Sequence, residues 1–321
     1  MRLLSVFFAL GLLATACAKA PEDSGGKGGT TSTGGKGGSG GTKASGGSSS
    51  GGTKGSGGTK GSGGSSVPPA SVDCQDVSTF SALVTSQYGG AQITVDGNSN
   101  KTYFMHANWW GTPYRNQSEN INGIGFTMNN PENASSSDST PIGYPSIFIG
   151  SYQGKSSKGS GLPKQLSSLS SVPTVFNTNS ESIGWSNYNA AYDIWLTQGS
   201  SALSSSATSP GSGGAFVMVW LFKPTDRMPR GSIIADGRDV PGAPGAWTVW
   251  VDNSNPSCVS YVSSKRLSSL EFDINAFLKD AVNNKYGNVS ASQYLSVIFA
   301  GFEVWGGGDG LKIDRFCASV K

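Results

Sequence analysis

Asp193 and Glu303 each stand two residues before a tryptophan, Trp195 and Trp305. Successive side chains of a β-strand point to opposite faces, so residues two apart share one face. Both acids lie in runs that alternate in this way. In 297–305, Ile298, Ala300, Phe302 and Val304 form an aliphatic face, while Gly301, Glu303 and Trp305 point oppositely. In 192–196, Asp193 and Trp195 share a face. An aromatic beside a carboxyl excludes water, disfavours the charged form and raises the pKa, as a proton donor near neutral pH requires. In 215–221, Ala215, Val217, Val219 and Leu221 form one face, and Phe216, Met218 and Trp220 the other. Thr248 and Trp250 share a face in 247–252. Each strand thus has one face for a core and a second carrying Trp, Met or a carboxylate. Left open, such a face suits sugars, because pyranose rings stack on indoles.

Other chemistries find less support. The chain has a single histidine, His106, and no close cysteine pair, so no zinc site is expected; His106 reads as a polar cleft or edge residue. No cofactor motif is found. Cys74, Cys258 and Cys317 lie beyond the leader, and in an exported protein they suggest one disulfide and one leftover thiol, with all three pairings open. The net charge of +3 is misleading: seven of the 23 basic and two of the 20 acidic residues precede Val67, leaving sixteen basic against eighteen acidic, or −2. A nearly neutral domain has no electrostatic footprint for nucleic acid. With 13% charged residues, the composition fits a neutral polar ligand.

The elements that must position these residues occupy only part of the chain. Residues 1–16 read as an export signal: Arg2, an apolar run from Leu3 to Leu13, then Ala14-Thr15-Ala16. Cys17 follows at once, and the segment resembles a bacterial lipoprotein signal, which implies lipidation of Cys17 and a membrane anchor at the outer surface. Ordinary cleavage with secretion is the alternative. From Gly25 to Ser66 the chain holds only Gly, Ser, Thr and Lys apart from Ala44, so residues 17–66 read as a flexible linker with no apolar surface to bury. Residues 67–321 show short alternating segments separated by Gly, Pro, Asn and Ser. That pattern predicts one all-β domain, a two-sheet β-jelly-roll sandwich, with a monomer expected. One helix is predicted, capped by Asp273, with Ile274, Phe277, Leu278 and Val282 at helical spacing and Gly287 beyond its end. It reads as a packing helix.

Seven segments carry a resemblance when taken in order. They are Asn108-Trp109-Trp110-Gly111, Tyr144-Pro145-Ser146, Ala191-Tyr192-Asp193-Ile194-Trp195-Leu196, Met218-Val219-Trp220, Pro229-Arg230-Gly231, Trp247-Thr248-Val249-Trp250 and Gly301-Phe302-Glu303-Val304-Trp305. The domain resembles glycoside hydrolase family 12, retaining endo-β-1,4-glucanases and xyloglucanases with a concanavalin-like jelly-roll fold. The resemblance implies a β-1,4-glucan ligand, cellulose or xyloglucan. It implies that Glu303 is the general acid/base and Asp193 the aspartate supporting the nucleophile. It places Asn108, Trp110, Met218, Trp220 and Trp305 in the cleft, with Trp250 as a further candidate.

One position departs from the family. Its nucleophile is a glutamate four residues before the tryptophan of a Glu-x-Met-x-Trp strand, and here that position is Phe216. Retaining hydrolysis needs two carboxyl groups about 5–5.5 Å apart, one of which attacks the anomeric carbon. Phenylalanine cannot attack, and its ring is expected to fill the space a substitute water would need. Three readings stay open: Asp193 as base towards a water in an inverting reaction, an acid from an unplaced loop, or a non-catalytic glucan binder in which Phe216 adds a stacking surface. A surface adhesin with no glucan connection is the competing class.

Overall fold

The computed structural model describes residues 18–19, 74–111, 114–136, 140–183 and 187–321. The export signal, Cys17, residues 20–66 of the expected linker and Trp185 lie outside the described residues. Two sheets dominate. The smaller has six strands in the order 269–273, 173–178, 312–318, 126–129, 118–122 and 81–84. The larger follows the path 232–239, 246–252, 257–263, 215–220, 188–197, 294–304, 146–152, 98–106 and 90–95, with two-residue strands attached at 155–156 and 164–165. Its pairings are antiparallel except that of Ala215–Trp220 with Ser257–Ser263. Outside both sheets, the Ala18–Lys19 backbone pairs with Met228–Pro229.

The expected strand phases hold. Ala215, Val217, Val219 and Leu221, together with Ile298, Ala300, Phe302 and Val304, point into the core between the sheets. Trp247, Val249 and Val251 do the same from the 246–252 strand, which alternates along its length. The opposite face of the large sheet is not bare. Phe148, Tyr152, Trp195, Phe216, Met218, Trp220, Phe299 and Trp305 form a second buried apolar cluster there.

The predicted helix runs from Asn275 to Asn283. Asp273 acts one residue earlier than expected: Ile274 already has helical dihedrals, and the Asp273 carboxylate accepts hydrogen bonds from the backbone N–H groups of Asn275 (2.9 Å) and Val172 (2.6 Å). Phe277 packs edge-on against Trp247 at 4.8 Å and Phe272 at 5.1 Å, so the helix plugs one end of the core. Among the described residues no helix is long and apolar enough to cross a membrane.

Two further features bear on stability. Cys74 and Cys317 form a disulfide that spans 243 residues, and the Arg315 guanidinium donates to the Cys74 carbonyl at 2.6 Å. Cys258 is disulfide-bonded as well, and no described cysteine is free, which corrects the expectation of a leftover thiol. Glu119 is fully buried, with Oε1 accepting from the Trp109 indole at 2.6 Å and Oε2 without a partner among the described residues. Burial pushes this carboxyl up to about 8, against the opposing effect of the indole bond.

Candidate active site

Three neighbouring strands of the large sheet bring the candidate residues together. Tyr188–Thr197 lies between Ala215–Trp220 and Tyr294–Val304. In register, Asp193 sits opposite Met218 on one side and Phe299 on the other, while Glu303 sits opposite Asn189. Asp193 and Glu303 line one small cavity of about 30 Å³, with Asn108, Trp110, Tyr144, Tyr152, Trp195, Thr208, Met218 and Phe299.

Each carboxyl has one oxygen anchored and one unpartnered. Asp193 Oδ2 accepts from the Trp195 indole at 2.8 Å, and Oδ1 is buried with no partner among the described residues. Glu303 Oε2 accepts from the Asn189 amide at 2.6 Å, and Oε1 is likewise buried and unpartnered. The same Asn189 takes the Glu303 backbone N–H on its own oxygen at 3.2 Å, so one residue fixes both ends of the glutamate. Burial pushes Asp193 up to about 7, opposed by the indole bond. It pushes Glu303 up to about 8, where the Asn189 bond lowers it and the charge of Asp193 raises it. Both carboxyls therefore keep their protons to higher pH than free ones, and a charge on Asp193 holds the Glu303 proton further. Tyr144 and Tyr152 are pushed up by burial, with Asp193 adding to both, and stay neutral; no cation lines the cavity among the described residues.

Phe216 shares the face of Met218 and Trp220, as its phase requires. Its ring is only 1% exposed and packs edge-on against Trp195 at 5.3 Å. It is not among the residues bordering the cavity. Two expectations are thereby corrected. Phe216 presents no surface for a sugar, because Trp195 and the apolar cluster enclose it. Its ring also leaves the space between Asp193 and Glu303 open, because Met218 borders the cavity there. Among the described residues no third acid lines the cavity.

The expected binding residues divide into three groups. Asn108, Trp110 and Met218 line the cavity, with Trp110 half-buried and Asn108 held at a positive φ of 50°. Trp220 and Trp305 lie on the cleft side but are fully buried, with ring centres 6.3 Å apart and the Arg227 guanidinium 5.7 Å above Trp305. In this arrangement neither offers an open stacking face, which corrects their assignment as cleft-lining platforms. Trp250 lines a separate groove of about 360 Å³, alongside Ile233, Asp236 and Thr248. His106 is buried, not at an edge; desolvation brings it down to about 3, so it is neutral, with Nε2 3.2 Å from the Tyr88 carbonyl.

Sequence reasoning missed Tyr144, Tyr152, Phe299 and Thr208 as lining residues. Tyr144 lay within an ordered segment, and its hydroxyl donates to the Ala191 carbonyl at 2.8 Å. Thr208 belongs to the 199–214 segment, rich in Ser and Gly, which has no periodicity to read. Leu203 of that segment packs on the second apolar cluster. A cavity of about 30 Å³ is water-sized.

The two-sheet architecture and this pair of carboxyls can be set beside known proteins. The glycosyl hydrolase family 12 profile matches residues 101–321, more than half of the chain. The chain belongs to glycosyl hydrolase family 12. Endoglucanase S of Pectobacterium parmentieri is 27% identical over 266 residues, covering 76% of this chain and 94% of that protein. A probable cellulase of Mycobacterium tuberculosis, Cel12b, is 28% identical over 168 residues, 50% of this chain and 99% of its own length. Among solved structures, the endoglucanase cel12A of Rhodothermus marinus superposes with a TM-score of 0.63 at 27% identity, covering 75% of this chain and 99% of that one. The family 12 xyloglucanase of Bacillus licheniformis gives 0.60 at 25%, with 75% and 100% covered. The jelly-roll expectation is met in both sheets.

Proposed function

We propose that this family 12 protein recognises β-1,4-linked glucan at the Asn108–Trp110–Met218 cavity and is not a double-displacement hydrolase. One observation carries the reading: the side chain at the nucleophile position, Phe216, is a buried ring packed on Trp195, and among the described residues only Asp193 and Glu303 supply carboxyls to the cavity. Double displacement forms a covalent glycosyl-enzyme, and a benzyl side chain cannot attack carbon. The scaffold, the half-buried Trp110 and the polar Asn108 support a neutral sugar ligand. The relatives named cellulase, endoglucanase and xyloglucanase support β-glucan as its class.

Affinity electrophoresis in gels containing xyloglucan or hydroxyethyl cellulose tests the reading. Retardation by either polymer is expected, and unretarded migration in both would refute glucan recognition. A 2-deoxy-2-fluoro cellobioside should leave the protein mass unchanged.

Export is the second part of the proposal, carried by residues 1–16. An acylated Cys17 would tether the domain to a membrane surface. Acylation and a disulfide at that sulfur exclude each other, so peptide mapping without reductant decides. An acylated Cys17 supports the anchor, and a Cys17–Cys258 bridge refutes it.

A further inference from the structure

We infer that Asp193 and Glu303 form an inverting pair, in which Asp193 is the base towards a water held in the cavity between them and Glu303 is the acid towards the glycosidic oxygen. The inference rests on the glucan reading above and adds a reaction to it.

The backbone sets the spacing. The two acids share one face of adjacent antiparallel strands, with Glu303 opposite Asn189 and so four residues along from Asp193. That offset separates their Cα atoms by about 13 Å along the strands. Both side chains border the same cavity, and the charge of Asp193 acts on Glu303. Inverting hydrolysis needs room for a water, with carboxyls about 6.5–9.5 Å apart, whereas double displacement needs about 5–5.5 Å. Side chains a few ångströms long, closing a 13 Å offset from both ends, suit the wider spacing.

The cavity has the right contents for this chemistry. A volume of about 30 Å³ holds a water if polar partners are present. Asp193 Oδ1 and Glu303 Oε1 are both buried acceptors without a partner among the described residues. Their opposite oxygens are fixed by Trp195 and Asn189, so each carboxyl is oriented by its own second contact. Burial raises both carboxyls, and the charge of Asp193 favours the protonated form of Glu303, as the acid role requires. Tyr144 and Tyr152, the other titratable groups on the cavity, stay neutral throughout.

The step balances with water as the only co-reactant. Glu303 gives its proton to the glycosidic oxygen, and the bond from C1 to that oxygen breaks with the electron pair going to the leaving alcohol. The water oxygen forms the new bond to C1 from the opposite side, and Asp193 takes the water proton. The products are an α-configured hemiacetal and an alcohol. Solvent then returns the proton from Asp193 to Glu303.

The test follows the anomers released from cello-oligosaccharides and xyloglucan oligosaccharides by proton NMR. Slow hydrolysis with the α-anomer appearing first is expected. Asp193→Asn and Glu303→Gln should each slow it by about 10²-fold or more, the usual contribution of a positioned acid or base. Azide added to folded Asp193→Asn should restore turnover of an aryl cellobioside and yield the α-glycosyl azide. A β-anomer as first product overturns the inference. So does hydrolysis no faster than that of the Asp193→Asn, Glu303→Gln double variant. Retardation in the glucan gels without hydrolysis overturns this inference alone; loss of both overturns the glucan reading as well.

Discussion

Phe216→Glu places a carboxyl where the family keeps its nucleophile. The Phe216 ring is 1% exposed and packed on Trp195. Truncating such a ring to alanine costs about 3–5 kcal/mol. The one methylene that glutamate adds beyond the alanine Cβ recovers about 0.8 kcal/mol. The net loss is then about 2–4 kcal/mol while the new carboxyl is protonated. Asp193 Oδ1 is buried without a partner among the described residues and belongs to the pair two steps along the ladder, on the same face. The new acid is buried, so its folded pKa lies above its unfolded one. The folded state then holds the proton longer, and the variant loses further stability as pH rises through the folded pKa. Urea denaturation at pH 5 and pH 9 measures this: the variant should lie below wild type at both, with the larger gap at pH 9. The fluorinated cellobioside should add its glycosyl mass to the variant and not to the wild type, and adding Glu303→Gln should abolish any retaining turnover. An unchanged urea midpoint would show that Phe216 is not packed as described. A mass adduct on wild type would reveal a nucleophile elsewhere and refute the argument for lost double displacement.

Trp110→Ala should weaken binding of cello-oligosaccharides by about 1–3 kcal/mol, by analogy with bases stacked on aromatic platforms, as read by calorimetry on a variant with an unchanged melting curve. Glu119 carries a carboxyl held at about 8, so the proton it keeps gives stability that is full at low pH and lost as pH rises through 8. Glu119→Gln should flatten the decline in melting temperature between pH 6 and pH 9, and an unchanged slope would show that Glu119 is not buried uncharged. Cys317→Ala should cost about 2–4 kcal/mol by urea denaturation, and a smaller loss would mean that the closed loop adds little.

Strand phase was legible because alternation is a local property. Phe216, Met218 and Trp220 were assigned to one face and Ala215, Val217 and Val219 to the other, and the two clusters divide them in that way. Alternation says which way a side chain points, not what covers it. Trp220 and Trp305 therefore read as platforms, although the folded chain encloses them. The pairing of Trp109 with Glu119 escaped notice for a related reason. The indole comes from a segment beside the large sheet and the carboxylate from the small one, and no spacing rule links them. Thr208 was invisible because a Ser- and Gly-rich segment has neither period nor pattern. The roles of the two carboxyls came from the resemblance of their segments to the family; of the tryptophans two residues on, only Trp195 holds its acid directly, and Glu303 is held by Asn189 instead.

The Cys74–Cys317 bridge also decides how the domain would respond to a pull on its N-terminal side. Cys74 stands seven residues before the edge strand Ser81–Val84, and Cys317 lies in the 312–318 strand, which has neighbours on both sides in the six-stranded sheet. Tension arriving along the preceding chain would pass through the sulfur bridge into that interior strand instead of peeling away the edge strand Ser81–Val84. Its long ladder with Pro173–Thr178 would then be loaded together, as a set of bonds in shear. In a reducing medium the same tension would fall first on the Ser81–Val84 edge, which pairs with a single neighbour, Ser118–Asn122. Single-molecule pulling from a handle placed just before Cys74, on wild type and on Cys317→Ala, would show the bridge as a drop in the force of first extension.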